Sequence, residues 1–126
     1  MHEMSIALAI VDQVEITARP AGARAVSSVR VQVGELAGVV PDALAFSFEL
    51  ACTETVLEGA ELVMEPVTAR ARCGPCAHTW AAGMPPQLSC PVCGGTRTEL
   101  LSGRELQIVS VSWHDAPSAV PTHQER

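Results

Sequence analysis

The sequence predicts an α+β fold: a small three-stranded sheet with two helices, interrupted by a separate cysteine-bearing lobe. Three observations carry that expectation. Apolar residues near the start recur at three- and four-residue spacing and then give way to strict alternation. Two more strand-like stretches lie on either side of the cysteine-dense segment. That segment holds four of the five cysteines as two Cys-x-x-Cys pairs, Cys73-Gly74-Pro75-Cys76 and Cys90-Pro91-Val92-Cys93, separated by 13 residues.

Met4 to Arg19 reads as an amphipathic helix. Met4, Ala7, Leu8, Val11, Val14 and Ala18 share one face with Ile10 at its edge, Asp12 and Gln13 lie opposite, and Ile16 is the clear violation. Pro20-Ala21-Gly22 stops it. From Val26 to Gly34 the period becomes two: Val29, Val31 and Val33 alternate with Arg30 and Gln32, as in a half-exposed strand. Pro41-Asp42 opens a second helix, with proline tolerated in the first turn and Asp42 favoured at the positive end. Leu44, Phe48 and Cys52 are spaced along its buried face, so Cys52 reads as a packed apolar residue. Glu61 to Arg72 is the second strand, with Leu62 and Met64 in step and Pro66 placing an edge or bulge there. Glu105 to Trp113 is the third. Its phase is mixed, so either both faces are covered or a bulge lies near Ile108.

The cysteine pairs have the spacing of a metal site. Tetrahedral Zn²⁺ takes four ligands, with thiolate sulfurs about 2.3 Å from the metal. A Cys-x-x-Cys turn brings two sulfurs to one side, and glycine or proline lets the backbone fold tightly beneath them. Structural Zn²⁺ at Cys73, Cys76, Cys90 and Cys93, in a zinc-ribbon-like lobe, is the expected chemistry. Three other uses compete. A disulfide needs an oxidising compartment, to which nothing here points. Rubredoxin-like iron takes the same ligands. Cys-Gly-Pro-Cys is also the thioredoxin-type redox motif, but that motif needs a following helix, and Ala77 to Pro86 is broken too soon.

The expected boundaries are residues 1–70 with 103–115 for the α+β domain, 71–102 for the zinc lobe, and 116–126 for a flexible tail with two prolines and no periodicity. A lobe this short has little core, and metal ligation of about 10–16 kcal/mol would supply its folding energy.

At 126 residues, with 48% hydrophobic and 17% charged residues, the composition is that of an ordinary globular domain. The formal charge is −6. Four thiolates and one Zn²⁺ contribute a further −2, giving about −8. Nucleic-acid binding needs clustered cations. All eight basic residues are arginines, scattered apart from Arg70 and Arg72, so no nucleic-acid partner is expected. No apolar run spans a bilayer, and Met1-His2-Glu3-Met4 lacks the basic start of a signal peptide, so no membrane association and a cytoplasmic location are expected. No catalytic constellation stands out: His78, His114 and His123 have no paired nucleophile, and no glycine loop suits a nucleotide.

The amino terminus offers a second metal chemistry. His2 is too bulky for the usual removal of Met1. The Met1 amine, the His2 backbone nitrogen and the His2 Nδ1 would form fused five- and six-membered chelate rings, with the Glu3 backbone nitrogen or carboxylate completing the set. Such nitrogen-rich square-planar sites suit Ni²⁺ or Cu²⁺. Proton competition should weaken the binding below about pH 6. The alternative is a frayed end with an incidental histidine, and chemistry alone favours it.

The initiating Met1-His2-Glu3, the amphipathic helix, the Pro41-Asp42 helix carrying Leu44-Ala45-Phe46-Ser47-Phe48-Glu49, the Leu57-Glu58-Gly59-Ala60-Glu61-Leu62 approach to a strand, and the paired knuckles together resemble the HypA/HybF family. Its members are nickel metallochaperones for [NiFe]-hydrogenase maturation. The resemblance covers Met1 to about Trp113, and its specificity lies in the conjunction of the tripeptide with the knuckles. It implies Ni(II) as transient cargo at His2, with the Met1 amine and Glu3 assisting, and structural Zn(II) at the four cysteines. It further implies no catalytic step, a GTPase partner, HypB, and delivery to the hydrogenase large subunit. A homodimer is compatible with it. The rival is a zinc-ribbon adaptor that ignores nickel.

Overall fold

The computed structural model describes residues 2–115, so Met1 and the expected tail at 116–126 lie outside the described residues. The elements are α1 (Glu3–Ala18), β1 (Ala23–Gly34), α2 (Pro41–Ala51), β2 (Glu61–Val67), β3 (Arg70–Cys73), β4 (Thr79–Ala81), β5 (Thr98–Ser102) and β6 (Leu106–Asp115). They make two three-stranded sheets, in the orders β2–β1–β6 and β4–β3–β5. The described residues divide into two units. One holds the residues up to Val31, Val39–Met64 and those from Ile108 on, and the other holds Gln32–Gly38 and Glu65–Gln107.

In the first unit α1 buries Ala7, Ile10, Val11, Val14 and Ala18 and packs against α2. The expected stripe is turned: Met4 and Leu8 are 39% and 53% exposed, while Ile10 is in the core. At 3.6 residues per turn Met4 and Leu8 lie about 50° and 90° from the Ala7–Val11–Val14–Ala18 axis, on the flank away from Ile10. The helix packs on its Ile10 side. Ile16 is exposed, as its phase required. In α2, Pro41 fills the first turn, and Leu44, Phe48 and Cys52 are buried as their spacing predicts. Burial, followed by the charge of Glu15, pushes the Cys52 thiol up to about 11, so it stays a neutral packing group. Val26, Val29 and Val31 of β1 and Leu57 complete this core. Val111, Ser112 and Trp113 are buried in succession, so both faces of β6 are covered there.

In the second unit β3 pairs antiparallel with β4, Ala71 opposite Trp80, and with β5, Cys73 opposite Thr98. Ala71 and Cys73 point inward while Arg70 and Arg72 point out, and Arg72 meets Glu99 at 2.6 Å in an exposed ion pair. The continuous strand expected from Glu61 to Arg72 is therefore two strands in different sheets. The break has its cause in residues distant along the chain. The Ala69 N–H donates to the Glu35 carboxylate at 2.9 Å rather than to a ladder. Ala69 also faces Gly103 so closely that a Cβ there would sit 2.8 Å from its Cα. With φ at +122°, Gly103 occupies a conformation that favours glycine on both counts.

The interior of this unit is Ala69, Ala71, Cys73, Trp80, Ala82 and Cys90, with Leu36 packed against it. Trp80 is the one large side chain among them. Three alanines and two cysteines bury too little apolar surface to hold a fold alone.

Truncating Phe48 to alanine should destabilise the protein by about 3–5 kcal/mol in denaturant titration. Phe46→Ala, two residues away but 64% exposed, should stay within about 0.5 kcal/mol of wild type.

Candidate metal centre

Two matched turns carry the four cysteines. Strand β3 ends at Cys73, whose N–H donates to the His78 carbonyl at 2.9 Å, while the Ala77 N–H donates back to the Cys73 carbonyl at 2.9 Å. The second turn repeats the pattern: Cys90 N–H to the Gly95 carbonyl at 2.9 Å, and Gly94 N–H to the Cys90 carbonyl at 2.8 Å. In each, the residue after the second cysteine is left-handed, Ala77 at φ +61° and Gly94 at +73°. A hydrogen bond of 2.9 Å from Gly74 N–H to the Arg97 carbonyl joins the first turn to the chain beyond the second. The loop between them is pinned by Trp80 Nε1 donating to the Gln87 carbonyl at 2.9 Å and Thr98 Oγ1 to the Leu88 carbonyl at 2.6 Å. His78 stacks on Trp80 with ring centroids 5.9 Å apart. Sequence reading assigned neither residue a role. The three-residue strand that carries Trp80, just after His78, is too short to show a period.

The sulfurs converge. All four lie within 4.8 Å of one another, and two pairs at 3.6 Å, Cys73–Cys93 and Cys76–Cys90, cross from one turn to the other. A tetrahedron with metal–sulfur bonds of about 2.3 Å has edges of about 3.8 Å, so the donor set fits Zn²⁺. All five cysteines are free thiols, which leaves no disulfide to compete. The chain after Cys76 runs into β4 and supplies no helix of the kind a thioredoxin-type thiol requires.

The cluster shares its protons unevenly when no metal is bound. At Cys73 the Cys76 N–H favours the thiolate, but burial and the hydrogen bonds its thiol makes to Cys76, Cys93 and Cys90 outweigh it and raise the pKa. At Cys90 burial opposes ionisation, but the Cys93 and Val92 N–H groups and the Cys76 and Cys93 thiols overcome it and lower the pKa. Ionisation is therefore favoured at Cys90 over Cys73. Cys93 N–H lies 3.5 Å from Cys90 Sγ.

At the amino end, His2 is exposed and forms the N-cap of α1 without a side-chain capping bond. Its carbonyl accepts the Ile6 N–H at 3.2 Å. Glu3 is the first helical residue, and its carboxylate accepts the Val40 N–H at 3.1 Å. That bond leads the causes that hold the Glu3 pKa below 4.5; its own N–H and the His2 charge add to it, against partial desolvation. Its contribution to stability is present above pH 4.5 and is lost as pH falls through the lowered value. No sequence signal pointed to this pairing, since its partners are 37 residues apart and one is a backbone group.

No helix among the described residues is long and apolar enough to cross a membrane. A family profile described as "Hydrogenase/urease nickel incorporation, metallochaperone, hypA" matches residues 1–113. The chain is 66% identical over 125 residues to a hydrogenase maturation factor HypA of Streptomyces avermitilis, covering 98% of this chain and 95% of that one. It is 45% identical over 112 residues to the protein of the same name from Chlorobium limicola, covering 89% and 96%. The fold is similar to the solution structure of the Ni metallochaperone HypA from Helicobacter pylori, with a TM-score of 0.65 and 22% identity over 91% of this chain and 99% of that one.

Stripping zinc with a chelator should expose Cys73 and Cys90 to a thiol alkylating reagent while Cys52, buried in the first unit, stays protected, as read by peptide mass mapping.

Proposed function

Because the chain belongs to the HypA family of nickel-incorporating metallochaperones, we propose that it carries Ni²⁺ at its amino terminus as cargo, with Zn²⁺ at Cys73, Cys76, Cys90 and Cys93 for shape. The observation that carries the nickel half is the position of His2, exposed at the N-cap immediately before α1. The first N–H groups of a helix have no intrahelical acceptor, so a metal can take the His2 and Glu3 backbone nitrogens without breaking the ladder. The Met1 amine and the His2 Nδ1 close five- and six-membered chelate rings with the His2 nitrogen, and the Glu3 backbone nitrogen or carboxylate completes the set. Each deprotonated amide offsets charge on Ni²⁺, and the positive end of the helix favours the resulting anionic donors. Zinc is the resident metal, and the four thiolates that would hold it supply no open position for chemistry.

The protein on this reading has no catalytic step. It works in the cytoplasm, receives or releases nickel in contact with the GTPase HypB, and delivers it to the [NiFe]-hydrogenase large subunit, alone or as a homodimer. The nickel-bearing end belongs to the unit of residues up to Val31, Val39–Met64 and those from Ile108 on, and the cysteines to the unit of Gln32–Gly38 and Glu65–Gln107, which extends beyond the expected 71–102. Nucleic acid is not a partner: on a chain of charge −6, Arg72 is already paired with Glu99.

An uncleaved extension before Met1 removes the amine donor and should abolish Ni²⁺ binding as thoroughly as His2→Ala, by calorimetric titration of purified protein. An extended His2→Ala protein that still takes up one equivalent of Ni²⁺ would place the site elsewhere. Zinc content should survive both changes. Cys73→Ala or Cys93→Ala should instead lose zinc, by elemental analysis, and loosen the lobe.

A further inference from the structure

We propose that the Glu3 carboxylate is a positioning residue for the nickel-binding end, tying the first turn of α1 to the N-terminus of α2 through the Val40 N–H and leaving the metal to neighbouring nitrogens. The proposal rests on the reading that Ni²⁺ binds beside it. Glu3 Oε2 accepts the Val40 N–H at 3.1 Å. Val40 is the N-cap of α2, and its carbonyl accepts the Leu44 N–H at 3.0 Å. Neither helix has a side-chain capping bond of its own. Both sit with positive ends toward one carboxylate, which is where a negative group is most stabilised.

The consequence concerns His2. It directly precedes Glu3 and has no capping bond to fix its direction. Holding Glu3 against α2 narrows the space the preceding residue samples, so less conformational freedom is lost when its imidazole and backbone nitrogen close on a metal. The hydrogen bond engages Glu3 Oε2 with Val40, and a metal taking that oxygen would have to displace it.

Glu3→Gln and Glu3→Ala in untagged protein separate the two roles, because a glutamine carbonyl can still accept the Val40 N–H while an alanine cannot. In zinc-loaded, nickel-free protein, hydrogen exchange at the Val40 amide should accelerate about tenfold or more in Glu3→Ala and much less in Glu3→Gln. Nickel affinity should fall about tenfold in Glu3→Ala and stay within about threefold in Glu3→Gln, with the Ni²⁺ absorption spectrum unchanged in both. Equal losses with an altered spectrum would make the carboxylate a ligand and overturn the proposal, as would unchanged Val40 exchange in Glu3→Ala. If wild-type protein binds no Ni²⁺, the carrier reading fails, while the exchange experiment still judges the tether.

Discussion

Helix α1 begins at Glu3, one residue after His2, and the proposed cargo chemistry depends on that placement. Had the helix started a turn later, His2 and Glu3 would belong to a loose end, and ordering them around a metal would cost conformational entropy. Had an earlier turn been present, their N–H groups would be committed to the ladder. A donor set taken from backbone nitrogens at a helix start is both available and partly ordered. It is also open to solvent, which suits an ion that must leave.

The cysteine cluster shows the opposite design. Two of its thiols are buried and two exposed, one of each from either turn, and the matched backbone hydrogen bonds set all four sulfurs at nearly tetrahedral spacing. Around them the interior is mostly alanine and cysteine, with Trp80 as the large residue. A metal held there stands in for a hydrophobic core. On the proposed reading its release would loosen the unit, which suits a resident metal rather than cargo. The two sites thus differ in what metal loss would cost the fold.

Much of this was legible in the sequence. The spacing of Leu44, Phe48 and Cys52 located a buried helix face, and the cysteine pairs located the cluster. The rotation of α1 was not, because Met4 and Leu8 fit a helical stripe as well as Ile10 does, and only the packing partner decides between them. The split between β2 and β3 was missed for a different reason. It is caused by the Glu35 carboxylate and by Gly103, both far along the chain from Ala69. Strands β4 and β5 are too short to carry a period. The Glu3–Val40 bond joins a side chain to a distant backbone group, and no pattern of residue types encodes such a contact.

Soft thiolates also bind nickel, so the claim that matters most is that cargo and structural metal use different atoms. X-ray absorption at the nickel edge of untagged protein, loaded with one equivalent each of Zn²⁺ and Ni²⁺, tests it directly. The account predicts a first shell of nitrogen and oxygen around nickel, with all the sulfur scattering at the zinc edge. Sulfur in the nickel shell would contradict it and return the metal chemistry of this chain to its cysteines alone.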